Sequence, residues 1–394
     1  MTKIPSAGVP LGLTDLVRAL AARGTDAFRD DLARFTGARH AGLTSTGSAA
    51  FYLTLKALAA RSDRREVVLP AYTAPVVLLP VQRAGLRPVF ADVALETFNM
   101  APPDAARLVT ANTLAVMPAH MFGIPCELHE IRSAAAASGA AVIEDAASAL
   151  GATIGDRLAG TLGDAGFYSF HRGKQITSVT GGAWVTDDAA LAADIARRAE
   201  RLRVPGALER ARMFARLAAL SIAVRPWGYT ALHPLLDRFK DTAPHETFEL
   251  HAYTAVQAGV CRSLLARIDQ ILAARNARAE RARALLEDVP GITLPLIPPG
   301  TRPAFNHCPL LLPGTAARTR ALAAARDAGI ECTTLYDRTV YHAYDLSPDE
   351  YRASAGARCP NAEDVAARLL LIPCHPLVPM ARLEQAAEII KAAV

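Results

Sequence analysis

The stretch Gly166-Phe-Tyr-Ser-Phe-His-Arg-Gly-Lys174 contains the apolar run Phe167–Phe170 and ends on an amine. Upstream, the apolar run Ala141–Ile143 is followed directly by Glu144 and Asp145. Both runs are too short for helices and are bounded by turn residues, a pattern typical of buried strands. A carboxylate and an amine, 29 residues apart, are therefore each predicted to follow a strand.

The sequence around this pair alternates short apolar runs with Ala-rich stretches of helical length. The predicted strands are Val67–Leu69, Pro88–Phe90, Leu114–Met117, Ala141–Ile143, Phe167–Phe170 and Ala183–Thr186. The predicted helices between and before them are Phe51–Ala60, Val76–Ala84, Pro102–Leu108 and Glu127–Ser138. Strands that alternate with helices predict an α/β fold with a mostly parallel sheet covered on both faces.

A second, smaller domain is predicted after a long Arg-rich helix, Asp269–Leu286. It would contain a strand at Asn306–Leu312 and helices at Ala316–Ala328 and Ala381–Ala393. We therefore divide the chain into a large domain, residues 1–265, and a small α+β domain, residues 266–394.

The bulk composition is that of a globular protein. The chain of 394 residues is 51% hydrophobic and 21% charged, and its net charge of +5 is spread along the sequence. Without a basic stripe interleaved with aromatic residues, nucleic-acid binding is not expected. Six cysteines without CxxC spacing predict reduced thiols and no metal site, and no signal peptide is recognisable at the N-terminus, so a cytoplasmic location is expected.

Polar side chains follow several predicted strands at one edge of the sheet. His120, Asp145 and Lys174 all do so, and parallel sheets bind ligands at the carboxyl ends of their strands. Pyridoxal phosphate (PLP) needs an amine to hold its aldehyde as a Schiff base and a carboxylate to keep its pyridine nitrogen protonated. Lys174 and Asp145 are candidates for these roles, although Asp145 could equally form an ordinary salt bridge.

A turn of small residues, Thr46–Ala50, precedes the predicted helix Phe51–Ala60. Amides and a positive dipole at a helix start can bind a phosphate. The alternative is an ordinary N-cap formed by Thr46 or Ser48. Ser169, five residues before the lysine, could add a hydroxyl to such a phosphate site.

An ordered set of motifs resembles the DegT/DnrJ/EryC1/StrS family of PLP-dependent aminotransferases, most of which aminate nucleotide-linked keto-sugars. In the large domain these motifs are Thr46–Leu58, Pro70–Thr73, Pro118–Gly123, Glu144–Gly151 and Gly163–Thr186. The likeness continues at Gly329-Ile330, Cys359–Glu363 and Leu371–Pro376. It therefore spans nearly the whole chain.

The resemblance implies a fold-type I homodimer with active sites at the subunit interface. It assigns Lys174 as the Schiff-base lysine, Asp145 as the partner of the pyridine nitrogen and Ser148 to the neighbourhood of the ring hydroxyl. The complete set of expected cofactor-binding residues is Gly47, Ser48, Ala49, Tyr72, His120, Asp145, Ser148, Ser169 and Lys174.

Four positions depart from the family pattern. Ser148 replaces the usual Gln or His, and Ala74 replaces the aromatic residue that stacks on the ring, a role that Tyr72 or His120 could take over. The Asn-x-Arg motif that reaches across the dimer is absent near His251. Residues 213–239 form an apolar insertion that Arg225-Pro226 divides into runs too short to span a bilayer.

Two uses of the insertion remain open on the sequence. It could pack as a dimer or lid element, or it could touch a membrane surface or a lipid-linked substrate. For the whole chain the expected function is transamination from an amino acid, with glutamate as the expected donor, to a keto-sugar. The alternatives are a PLP-dependent sugar dehydratase, for which His171 is a nearby histidine, and a PLP-fold binding or regulatory protein without turnover.

Overall fold

A computed structural model describes residues 2–236 and 245–394, except for the side chains of Leu235 and Leu236. The last residues of the expected insertion, 237–239, lie outside this range. The strands are β1 (His40–Thr44), β2 (Glu66–Pro70), β3 (Arg87–Ala91), β4 (Thr113–Val116), β5 (Ala141–Asp145), β6 (Thr153–Ile154), β7 (Arg157–Leu158), β8 (Ala165–Ser169), β9 (Gly182–Thr186), β10 (Thr301–Arg302), β11 (His307–Leu311), β12 (Arg352–Ala353) and β13 (Leu369–Pro373).

Helices cover both faces of the large sheet and form the outside of the second part of the chain. They are α1 (Leu13–Ala21), α2 (Asp26–Thr36), α3 (Gly47–Ala59), α4 (Leu78–Arg83), α5 (Pro102–Leu108), α6 (His129–Ser138), α7 (Ala189–Ala199), α8 (Ala207–Ala223), α9 (Pro226–Leu236), α10 (Ala255–Leu265), α11 (Ile268–Leu286), α12 (Thr315–Asp327), α13 (Val340–Ala343), α14 (Pro360–Arg368) and α15 (Met380–Ala393). Two short 3-10 turns lie at Pro75–Val77 and Met121–Gly123.

The large sheet has eight strands in the order β1-β9-β8-β5-β4-β2-β3-β12. The pairs from β8 through β5, β4, β2 and β3 to β12 are parallel, whereas β9 pairs antiparallel with both β8 and β1. Every residue of β2 is buried, as expected for a strand covered on both faces. The predicted α/β architecture is confirmed, with β1 and β9 as its antiparallel edge.

The second part of the chain builds its own core on the antiparallel pair β11–β13. Helices α11, α12 and α15 bury alanine, leucine and isoleucine side chains in this core. Two short strands link this part to the first, because β12 extends the large sheet beside β3 and β10 pairs with β6. The small core therefore lies against the large sheet and is not held by a linker alone.

The described part of the insertion forms two helices, and the break falls at Arg225-Pro226 as predicted. The first helix, α8, starts at Ala207, six residues before the expected start. The second helix, α9, covers the N-terminal arm: Thr230 accepts a hydrogen bond from the Lys3 amide at 2.7 Å. The Tyr229 hydroxyl donates to Glu331 at 2.5 Å. In the described residues no helix is both long and apolar enough to cross a bilayer.

Candidate active site

The loop between β8 and β9 carries Lys174, and its amine points at the strand-end segment after β5. Nζ donates a hydrogen bond to Ser148 Oγ at 2.7 Å. The residue is half-buried, and burial lowers the pKa of the amine, an effect that the nearby Asp145 carboxylate opposes. A lowered pKa increases the fraction of neutral amine, which is the form that acts as a nucleophile or base.

Asp145 lies at the end of β5 with its backbone fixed on both sides. Its amide donates to the Pro118 carbonyl at 2.8 Å, and its carbonyl accepts from the His120 amide at 3.0 Å. The carboxylate accepts from the Ala147 amide at 2.9 Å. Burial raises the pKa of this carboxyl, and the Ala147 amide, Lys174 and His120 act in the opposite direction.

The half-buried Lys174 and the buried Asp145 lie close enough for the charge of each to affect the pKa of the other. Among the described residues the ion pairs do not include one between Lys174 and Asp145. A charged group that is buried without a partner of opposite sign is unfavourable. The arrangement fits a planar ligand with an electrophilic carbon near Lys174 and a protonated nitrogen near Asp145, which are the reactive ends of PLP.

The start of α3 lies against the end of β8, where the sequence analysis places a phosphate site that stays a prediction. A Cβ added to Gly47 would lie 3.3 Å from the Ser169 Cβ, so the helix start and this hydroxyl are adjacent. Thr46 is the N-cap, because its Oγ1 accepts from the Ala49 amide at 3.0 Å. The N-cap interpretation is thus confirmed for Thr46, while the first amides of the helix, at Gly47 and Ser48, face the same end.

Gly182 explains how β9 passes so close to the start of α3. A Cβ at this position would lie 2.4 Å from the Gly47 nitrogen and from the Thr46 carbonyl carbon. Real Cβ atoms do not make such contacts, so the position requires glycine for close approach and not for turn geometry.

His120 is held by a hydrogen bond at each ring nitrogen. Nδ1 accepts from the Cys126 amide at 2.9 Å. The neutral ring therefore carries its proton on Nε2, which donates to Glu144 at 2.9 Å. Because both nitrogens are used and the side chain is fully buried, the ring supports the backbone next to Asp145, and its stacking on a cofactor stays a prediction.

Tyr72 is likewise fully buried, and its hydroxyl donates to the Tyr336 carbonyl at 3.2 Å. The Tyr336 ring lies 6.1 Å from that of Tyr72, centroid to centroid. Burial and the Asp145 carboxylate both raise the pKa of Tyr336, which places this phenol near the candidate site. The half-buried Tyr336 is thus a further aromatic candidate for contact with a ring at this site, and the sequence analysis did not name it.

Glu144 has a role that the sequence did not reveal. Its Oε1 accepts from the Leu162 and Gly163 amides at 2.5 and 2.6 Å. Its Oε2 accepts from the Gly160 amide at 2.8 Å in addition to His120. Burial would raise the pKa of Glu144, but these hydrogen bonds outweigh burial and lower it. The carboxylate therefore ties the loop 160–163 to β5 directly beneath Asp145.

The segment that lacks the Asn-x-Arg motif lies beside the α3 cap. The Glu249 carbonyl accepts from Ser45 Oγ at 2.7 Å, and the His251 amide donates to the same Oγ at 3.2 Å. The side chains of Glu249 and His251 approach within 3.5 Å. The hydrogen bond to Glu249 raises the pKa of His251, and the same contact lowers that of Glu249.

Comparison with known proteins gives relatives along almost the whole chain. The chain is 32% identical over 309 residues to a dTDP-4-dehydro-2,6-dideoxy-D-glucose 3-dehydratase of Saccharopolyspora spinosa, covering 75% of this chain and 63% of the relative. It is 29% identical over 357 residues to a dTDP-3-amino-3,4,6-trideoxy-alpha-D-glucose transaminase of Micromonospora megalomicea subsp. nigra, covering 89% and 84%. The alignment to the dehydratase thus spans less than two thirds of that relative.

Solved structures confirm the fold. The aminotransferase TlmJ from Streptoalloteichus hindustanus superposes with a TM-score of 0.79 at 22% identity, covering 99% of this chain and 98% of that one. An E. coli GDP-4-keto-6-deoxy-D-mannose-3-dehydratase with bound hydrated PLP gives 0.77 at 19% identity, covering 99% and 100%. Residues 19–392 match one family along their whole length. The predicted resemblance is confirmed, and the chain belongs to the DegT/DnrJ/EryC1/StrS aminotransferase family.

Proposed function

We propose that the chain is a PLP-dependent aminotransferase that moves an amino group from an amino acid, with glutamate as the expected donor, to a nucleotide-linked keto-sugar. The observation that carries this proposal is the half-buried Lys174, with a lowered pKa, beside the buried Asp145, with no ion pair between the two among the described residues. The Micromonospora relative, a dTDP-sugar transaminase by name, supports the choice of acceptor.

The residues present fit the cofactor. Lys174 Nζ would hold the aldehyde carbon, Asp145 the pyridine nitrogen, and Ser169 with the amides of Gly47 and Ser48 the phosphate. Bound PLP supplies the electron-withdrawing ring and the carbonyl that carries nitrogen between the two substrates. Ala49 would support the phosphate site indirectly, because its amide donates to Thr46 and so fixes the start of α3.

The chain's own groups handle the proton. The Lys174 amine, whose pKa burial lowers, is the group that can take a proton at Nζ from the donor's α-carbon and give it back in the half-reaction with the acceptor. Ser148 Oγ, 2.7 Å from Nζ, fixes the direction of that amine. Asp145 remains an anion when a cation lies beside it, because an adjacent positive charge lowers a carboxyl pKa.

Isotopically labelled glutamate tests the proposal against its alternatives. The purified protein would be incubated with PLP, the label and a panel of nucleotide-linked keto-sugars, and the products would be analysed by mass spectrometry. A sugar that gains the labelled nitrogen supports transamination. Release of the 2-oxo acid without transfer of the labelled nitrogen to any sugar of the panel would show that the acceptor belongs to another class of compound.

A sugar dehydratase is the second candidate, and the Saccharopolyspora relative favours it by name. Dehydration would yield a sugar lighter by one water that carries no label. Lys174 stands at the position that dehydratases of this family are expected to fill with histidine, while the side chain of His171 is exposed. The absence of any product with bound PLP would favour a binding or regulatory protein.

We further propose a cytoplasmic homodimer. All six cysteines are free thiols, which suits a reducing compartment. On α1, Leu13, Val17 and Leu20 are 78%, 56% and 62% exposed, an apolar stripe that a partner subunit could cover. Sedimentation of wild type and Val17→Asp would test this, since a dimer through this face predicts a shift of the variant toward monomer.

Contact of the insertion with a membrane remains a separate hypothesis. Trp227 is 63% exposed and Ile222 45% exposed, while the neighbouring Tyr229 and Thr230 are engaged with the body of the protein. Flotation with anionic liposomes should then depend on Trp227, and equal flotation of wild type and Trp227→Ser would end the hypothesis.

A further inference from the structure

Arg275, in the middle of α11, is the largest fully buried side chain among the described residues. Its exposed fraction is 0%, and none of the ion pairs in the described part of the chain includes it. The titratable groups that face it are Arg278, His307, His375 and the Cys374 thiol. Burial lowers the pKa of Arg275 to about 10, so the guanidinium is still charged at neutral pH.

Backbone carbonyls take the place of a counter-ion. Nη2 donates to the Gly8 carbonyl at 2.8 Å and to the Lys174 carbonyl at 3.0 Å. Nη1 donates to the Asn306 carbonyl at 3.1 Å. One guanidinium therefore joins three segments that are far apart in sequence: the N-terminal arm, the loop of the reactive lysine and the start of β11. Its planar fork suits this task, because its donors point in fixed directions.

The hydrogen bond from Arg275 to the Lys174 carbonyl is one of two that hold the backbone of the lysine. The Lys174 amide donates to the His171 carbonyl at 3.2 Å, so both sides of the residue's backbone are held. The preceding Gly173 has φ +88°, and a Cβ there would lie 2.8 Å from the Ala7 Cβ. The arm thus packs directly against the lysine loop. On the other side, the Gln175 amide group donates to the Ser148 and Ala304 carbonyls at 2.6 and 2.7 Å.

We propose that Arg275 is the positioning residue of Lys174, which it holds through the lysine's own carbonyl against the N-terminal arm and β11. The inference rests on the proposed catalytic role of Lys174. The amine is attached to this backbone, so a displaced backbone carries it away from Ser148 Oγ and from the reacting carbon. A displacement of about 1 Å can reduce a rate by about 100-fold.

Arg278 provides a matched control on the same helix. It donates to the Val378 carbonyl through Nε and to the Ala274 carbonyl through Nη1, both at 2.8 Å, and makes no bond to the lysine loop. Arg275→Met and Arg278→Met both remove a guanidinium that binds backbone carbonyls. A loss of stability is expected in both variants, and it should be larger for the fully buried Arg275 than for the half-buried Arg278. Faster exchange confined to the lysine loop is expected in the first variant alone.

Hydrogen exchange of the cofactor-free proteins measures positioning without reference to activity. In Arg275→Met we expect amides 171–177 to exchange about tenfold faster, the effect of one lost charge-assisted hydrogen bond. The same amides should exchange at the wild-type rate in Arg278→Met. In the assay with PLP, kcat of Arg275→Met should fall about 100-fold while KM for glutamate changes less than about threefold. Arg275→Lys, which retains the charge but not the fork, should have exchange rates and a kcat between those of wild type and those of Arg275→Met.

Wild-type exchange at 171–177 in Arg275→Met, or equal acceleration in Arg278→Met, would overturn the inference. Should Arg275→Met not fold, the exchange of Arg275→Lys decides in the same way. If the wild-type protein transfers no amino group but the exchange difference is found, the proposed function fails and the role of Arg275 in holding the lysine loop stands.

Discussion

Replacing Glu144 with glutamine should destabilise the protein far more than an isosteric change normally does. The carboxylate accepts four hydrogen bonds, two at each oxygen, and its side chain is fully buried. An amide has one oxygen and one NH2 group. In either orientation of the new amide, two of the four buried donors would therefore face its NH2 group, which is itself a donor.

The size of the effect follows from the number of donors left unpaired. Each buried donor without a partner costs about 1–3 kcal/mol, so two cost about 2–6 kcal/mol. A protein's whole stability is about 5–15 kcal/mol. Depending on which oxygen becomes the NH2 group, the change releases either Leu162 and Gly163 or Gly160 and His120, and both pairs support the segment beside Asp145.

Urea unfolding of the cofactor-free protein, followed by circular dichroism, measures the change. The control is Glu384→Gln, which breaks an ion pair with Arg281 in which the side chains are 39% and 48% exposed. Exposed pairs contribute less than about 1 kcal/mol. A loss in Glu144→Gln below about 1 kcal/mol, or one equal to the control, would refute the role assigned to the carboxylate.

The same variant has a predicted pH dependence. Folding lowers the pKa of Glu144, so its stabilisation is fully present above the pKa of the unfolded chain, about 4.3. It is lost as the pH falls through the lower pKa of the folded state. The stability difference between wild type and Glu144→Gln should therefore be constant from about pH 7 to 5 and shrink below about pH 4.

Further predictions concern the cofactor site. Lys174→Ala should lack the absorbance near about 400–430 nm of a PLP–lysine imine and should not be modified by PLP and borohydride. Asp145→Asn should lower kcat by about 100-fold or more, yet stabilise the cofactor-free protein at neutral pH, because burial raises the carboxyl pKa and disfavours its ionised form. Gly182→Ala should weaken PLP binding, measured by spectroscopic titration, because its Cβ would collide with the start of α3 at 2.4 Å. Gly314→Ala, with no atom within 4 Å of the new Cβ, should bind PLP as wild type does.

Local pattern was sufficient to predict most of the large sheet. The apolar runs before Asp145 and Lys174 are strands β5 and β8, and neither is long enough to be a helix. Strand–helix alternation then allows few topologies, because parallel strands need crossover connections on the faces of the sheet. The strand β9 was predicted from the same pattern, but its antiparallel pairing with β1 and β8 has no such signature, since pairing depends on which strands meet in space.

The sequence names candidate site residues where chemistry and position along the chain coincide. Lys174 and Asp145 are an amine and an acid that follow strands, and they lie close enough for the charge of each to affect the pKa of the other. The roles of Glu144 and Arg275 were missed because each acts through backbone groups distant in sequence. Glu144 binds amides 16–19 residues later, and Arg275 binds a carbonyl 267 residues earlier.

By itself, then, the sequence determined the fold class and the family and named Lys174 and Asp145 as candidates for the reactive lysine and its acidic counterpart, because short-range periodicity and residue chemistry are properties of local segments. Only the tertiary structure decided that His120 supports Glu144, that Gly182 allows β9 to pass the start of α3, and that a buried guanidinium holds the lysine loop. These are contacts between segments distant along the chain. Backbone amides and carbonyls occur at nearly every residue, so a sequence does not show which of them a buried charge will bind.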